Sequence, residues 1–206
     1  MEEQIYSPGM QEILSVNMFS GFSMTYAGKK IAFSRSSNMK FIQLLLLLFL
    51  HADQGISKKE LIDTLYGWNA GVNPNKNLNN VIYRLKKQLV LAGLPEEEYV
   101  VLESGICRWS SSFPVETDAV RFTECISMAK ESAGAGRIGF LRTAERLYTG
   151  ELLPEFSTEL WVIERNLQLK GMYQQAGGGA GGISPTGRRV SGRASALPES
   201  RQIISL

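Results

Sequence analysis

Lys76, Asn80, Tyr83, Arg84 and Lys87 can all donate hydrogen bonds. At about 100° per residue they share one side of a helix drawn through NKNLNNVIYRLKKQL, residues 75–89. Leu78, Ile82, Leu85 and Leu89 share the other side. Between Lys76 and Lys87 there are four cations (Lys76, Arg84, Lys86, Lys87) and no acid. The chemistry such a face can perform is recognition of a polyanion with readable edges. An asparagine amide pairs bidentately with adenine and a guanidinium with guanine, each good pair discriminating by roughly 1–3 kcal/mol. The first turns offer Lys76, Asn77 and Asn80 for that role, with Arg84 one turn on, while Tyr83, Lys86 and Lys87 suit phosphates, which position without specifying. Double-stranded DNA is the partner this pattern predicts.

No comparable case exists for catalysis. His51 follows an apolar run and has no nucleophile beside it in sequence, which predicts a packed or surface histidine. Cys107 and Cys125 are too few and too isolated for a disulfide framework or a zinc site, and read as small hydrophobes. GGGAGG lacks the preceding strand and following Gly-Lys-Ser/Thr of a phosphate loop. Glu96, Glu97 and Glu98 form a solvated run. The expectation is a chain that is not an enzyme and that carries no cofactor or metal.

The elements that must position the polar face follow from periodicity and punctuation. ILSVNMF, GFSMTY and KKIAF read as three short strands turned at Gly21 and Ala27-Gly28. Asn38 is placed to cap a helix from Met39 to Ala52. Its apolar run, FIQLLLLLFL, is about half the ~20 residues of a membrane span and is closed by Lys40 and His51, so a buried core helix is expected. Ser57 and Glu60 form a capping box for a second helix through LIDTLYG. Gly67 to Pro74 is a loop, the polar-faced helix runs over 75–91, and YVVLES–Gly105–ICRWS makes a hairpin over 99–110. A helix–helix–helix–hairpin order with a polar third helix is how a winged helix reads DNA, and Arg108 in the hairpin can reach an adjacent groove or phosphate.

From Val115 the period is helical. Three successive amphipathic segments carry Val120, Phe122, Cys125, Ile126 and Ala129, then Phe140, Leu141, Ala144, Leu147 and Tyr148, then Leu160, Trp161, Ile163, Leu167 and Met172. At Gly177 the character changes: seven glycines and two prolines fall in the last thirty residues. From Ala176 four arginines face one glutamate, leaving the first 175 residues at a formal −1 against +2 for the whole chain. Such a tail cannot offset its ordering entropy by burial, so disorder is expected there, and a truncated or frame-shifted ending is one reading of it. MEEQIYSPGM has no apolar signal core, and a cytoplasmic protein is expected.

The ordered motifs resemble a known family. SRSSNMKFIQLLLLLFLHADQGISKKELIDTLYG is similar to the first two helices of OmpR-type winged helices, and NLNNVIYRLKKQL to their recognition helix. ETDAVRF, with Asp118 and Phe122, LYTGELLPEF, and Trp161 with Glu164-Arg165 resemble the bacterial transcriptional activator domain that follows it in the SARP (Streptomyces antibiotic regulatory protein) family. The resemblance implies an α+β winged helix followed by an all-α tetratricopeptide-like helical domain. It implies base contacts by Asn77, Asn80, Val81 and Arg84 and backbone contacts by Tyr83, Lys87 and Arg108. The chain departs from the family at Lys86, where arginine is usual, and at Ile106-Cys107-Arg108-Trp109 in the wing.

The expected organisation is therefore a disordered 1–11, a winged-helix domain over 12–112, an incomplete helical domain over 115–175 and a disordered Gly/Arg-rich 176–206. The leading expectation is a sequence-specific regulator, an activator by resemblance, with double-stranded DNA, RNA polymerase and a second copy of the chain as partners and no membrane. The alternatives are a protein-interaction module, or a truncated regulator, without DNA affinity.

Overall fold

Leu44 to Phe49 place six apolar side chains in succession, and the computed structural model buries all of them. A helix that is apolar all round must lie inside. This is α1 (Met39–Leu50), two residues shorter than its sequence signal, and it packs against the two helices that follow it. The structure describes residues 12–33, 39–67 and 71–177. The expectations for 1–11, for the Asn38 cap and for the tail from 178 fall outside the described residues.

Three short strands precede α1: β1 (Leu14–Asn17), β2 (Ser23–Tyr26) and β3 (Lys29–Ile31). Ala27 and Gly28, both at positive φ, form the two-residue turn between β2 and β3. After α1 come β4 (Ile56–Ser57), α2 (Lys58–Tyr66), α3 (Pro74–Leu91) and the hairpin β5 (Val100–Glu103) and β6 (Ile106–Trp109). Ser57 caps α2 as expected, its Oγ accepting from Glu60 N at 3.1 Å. Then follow β7 (Val115–Thr117), α4 (Asp118–Glu131), α5 (Gly134–Leu147), a single 3-10 turn at Pro154–Phe156 and α6 (Leu160–Gln175).

Two strands escape the sequence reading. Val115–Thr117, read as the start of a helical stretch, is a fourth strand that pairs in parallel with β1, giving the order β3-β2-β1-β7. The whole winged-helix portion is thus inserted between two neighbouring strands of one sheet. Ile56–Ser57 adds an edge to the wing, in the order β4-β6-β5. Pieces of two and three residues carry too little period to read.

The expected division at 112–115 is crossed by a single continuous core, in which Leu14, Leu44, Trp109, Phe122 and Val162 all take part. Polar groups reinforce it. The Asp118 carboxylate accepts from the backbone N–H of Met18 (2.8 Å), Phe19 (3.0 Å) and Ala119 (2.8 Å). Burial pushes this carboxyl's pKa up, and the backbone hydrogen bonds oppose the shift. The Asn166 amide accepts from Leu152 N at 2.8 Å and donates to Leu152 O at 3.0 Å, holding α6 to a segment that hydrogen-bonds Met18 and Ser20.

The third amphipathic segment is oriented differently from its reading. Val162 and Leu169 are the buried residues of α6, with Trp161 and Met172 half-buried, whereas Leu160, Ile163 and Leu167 face outward. Apolar residues occur nearly all round this helix, so sequence alone does not select the buried side.

Candidate nucleic-acid interface

Helix α3 begins where its chemistry dictates. Asn73 Oδ1 accepts from Lys76 N at 3.2 Å as the N-cap, and Pro74 occupies the first turn, where its missing N–H costs nothing. Leu78, Val81, Leu85 and Leu89 are buried at spacings of three and four residues, and Ile82 lies half-buried at the margin. Lys76, Asn80, Tyr83, Arg84 and Lys87 are exposed on the opposite side, as expected. Asn77 is half-buried, and an added Cβ on Gly71 would lie 3.6 Å from its Nδ2, so this amide leans toward the loop before the helix.

Val81 corrects the resemblance. At 7% exposure it belongs to the apolar stripe that joins α3 to the core and does not face outward with Asn80 and Arg84. The reason is angular: Val81 lies three residues beyond Leu78 and four before Leu85, both fully buried.

The hairpin is tied to the start of α2. Ser104 and Gly105, both at positive φ, close its two-residue turn. Ile56 and Ser57 pair with Cys107 and Ile106, and Lys58 N donates to Gly105 O at 2.8 Å, so the first turn of α2 is tied to the wing. Within β6 the pleat turns Cys107 and Trp109 into the core and leaves Arg108 exposed, opposite Val101. Burial pushes the Cys107 thiol's pKa up, which suits an inert core residue.

The departure from the family pattern at Trp109 has a structural use. Its Nε1 donates to Phe113 O at 2.7 Å, its ring meets Phe49 edge-on at 4.7 Å, and it stacks on Tyr99 at 5.4 Å. Tyr99 in turn donates to Pro95 O, and burial drives its phenol's pKa upward. The wing's base is therefore an aromatic wedge.

Sequence reasoning missed two supporting residues. Gly55, at φ +73°, lies against the wing so closely that a Cβ there would meet Arg108 Cγ at 2.5 Å, Ile106 Cγ2 at 2.6 Å and Cys107 O at 2.9 Å. In the sequence it looks only like the end of α1. Tyr66, at the end of α2, feels the Arg84 charge, which partly opposes the upward shift that burial gives its phenol. Among the described residues no group of three or more His, Cys, Asp or Glu is placed to hold a metal, and no helix is long and apolar enough to cross a membrane.

Arranged in this way, α3 offers hydrogen-bond donors and positive charge on an outward face, and the wing offers one more exposed cation in Arg108. Solved structures show where else this arrangement of elements occurs. The chain shares its fold with EmbR. A structure of EmbR from Mycobacterium tuberculosis, in complex with a low-affinity phosphopeptide, matches 81% of this chain with a TM-score of 0.62 at 17% identity. The match covers 44% of the EmbR chain, so this chain spans less than half of that protein's length. No family model matches the sequence, and no curated protein does.

Proposed function

We propose that this chain is a sequence-specific DNA-binding transcriptional regulator of the SARP type. Helix α3 enters the major groove, the β5–β6 wing lies on the flanking backbone, and the helical portion makes protein contacts. Asn77, Asn80 and Arg84 read bases, while Lys76, Tyr83, Lys87 and Arg108 hold phosphates. The observation that carries this reading is the two-sidedness of α3. Its apolar stripe is committed to the core, Lys76, Asn80, Tyr83, Arg84 and Lys87 are exposed on the other side, and no acid lies between Lys76 and Lys87. The motif series and the fold shared with EmbR support it. Action as an activator that contacts RNA polymerase follows from the resemblance alone.

Titration of the whole protein against random-sequence duplex across a range of salt concentrations tests the electrostatic half of the proposal. Phosphate contacts predict log affinity falling linearly with log salt, by about 0.9 per contact. Affinity indifferent to salt would overturn it. A second reading, a protein-interaction module without DNA affinity, is favoured by one feature, the outward apolar residues of α6.

A further inference from the structure

Leu160, Ile163 and Leu167 occur at i, i+3 and i+7 of α6 and are 69%, 43% and 66% exposed. That spacing defines a seam for a second helix. Gly171 continues the line, and a Cβ added to it would meet nothing within 4 Å. Glu159 and Glu164 flank the seam on either side. Helix α5 carries the converse pattern. Ile138 is 52% exposed, half-buried Leu141 follows at i+3, and the exposed Arg137 and Arg142 flank them.

We propose that the α6 seam is occupied by α5 of a second copy of this chain, in a head-to-tail contact. Charge complementarity selects this partner over an α6–α6 pair. A two-fold antiparallel α6 pair centred between Ile163 and Leu167 brings like flanks together and sets Glu164 beside its own mate, where like charges repel. Parallel docking with Leu160 beside Ile138 and Ile163 beside Leu141 brings unlike flanks together. Arg137 then lies five residues before the level of Glu164, and Glu159 five before the level of Arg142. This is the offset at which flanking charges pair across a parallel helix pair. Two acid–arginine pairs thus bracket the apolar contact. At this register the exposed Glu145 is level with Leu167, and Lys170 lies three residues beyond it.

The two surfaces are not the same patch, so the contact is heterologous and can extend beyond two copies. The contact itself is independent of the DNA reading. A single helix pair is a small interface, so association in the micromolar to millimolar range is expected.

Sedimentation of the full chain tests the contact by complementation. The wild type should rise in mass with concentration above its monomer value of 22.8 kDa. Leu167→Glu and Ile138→Glu, each at an exposed position, should remain monomeric with unchanged circular dichroism. Mixed in equal amounts they should form a species of twice the monomer mass, since each retains the surface the other lacks. Glu164→Arg should weaken association, and adding Arg137→Glu should restore it. A wild type that stays monomeric to near-millimolar concentration, a single mutant that self-associates like the wild type, or a mixture that does not combine would each overturn the proposal.

Discussion

Gly55 and Arg108 touch across the base of the wing, and the contact exists only because Gly55 has no side chain. A Cβ there would stand 2.5 Å from Arg108 Cγ, inside any tolerable separation, and φ at Gly55 is +73°. The residue that closes the turn between α1 and β4 thereby lets the aliphatic stem of Arg108 pack against it. Gly55→Ala combines a left-handed backbone with local overpacking and should destabilise the fold by about 2–4 kcal/mol. Urea denaturation reads this directly, and an unchanged midpoint would mean that the wing moves freely away from α1.

His51 makes stability depend on pH. Burial, aided by Arg165 and opposed by Glu60, lowers its pKa from the ordinary 6.5. The fold therefore prefers the neutral ring: its contribution is complete above pH 6.5 and is lost as pH falls through that value toward the folded one. His51→Gln should flatten the change in unfolding midpoint between about pH 7.5 and 5.5. Parallel wild-type and mutant curves over that interval would contradict the assignment.

Asp118 holds the helical portion to the first sheet by accepting from the backbone N–H groups of Met18 and Phe19, and accepts a third from its neighbour Ala119 at the start of α4. Asp118→Asn retains one acceptor oxygen but turns an amide NH2 toward the N–H of Phe19. Leaving that buried donor unpaired costs about 1–3 kcal/mol. The urea midpoint should fall at constant slope, and a midpoint equal to the wild type's would show the Phe19 bond to be dispensable.

What the sequence made legible was whatever had length and period. The run Leu44–Phe49 announced a buried helix, Ser57 with Glu60 fixed the start of α2, and Leu78, Leu85 and Leu89 oriented α3 with its polar face outward. What it hid was of two kinds. Ile56–Ser57 and Val115–Thr117 become strands only because β6 and β1 lie alongside, and those partners are distant in sequence. Val81, and Leu160 with Leu167, depended on which neighbour each helix face meets, and apolar character alone did not decide between core and surface. The closeness of Gly55 to Arg108 joins positions more than fifty residues apart and left no local trace.

Lys87 is exposed on the outer side of α3 and is assigned to a phosphate. Lys87→Ala should weaken binding to every duplex about equally and reduce the salt slope by about one. Competition between a preferred and a random duplex measures both quantities, and a loss confined to the preferred sequence would reassign Lys87 to base reading.

If α3 reads sequence, Arg84, exposed on its outward face, is the residue on which base preference depends. Selection of bound fragments from a random DNA pool, run in parallel with the wild type and Arg84→Ala, tests it most directly. The wild type should enrich a motif, with preference relaxed at one position in the mutant and a cost of roughly 1–3 kcal/mol on the preferred site. A folded wild type that enriches no motif, or a mutant that enriches the same motif equally well, would contradict it.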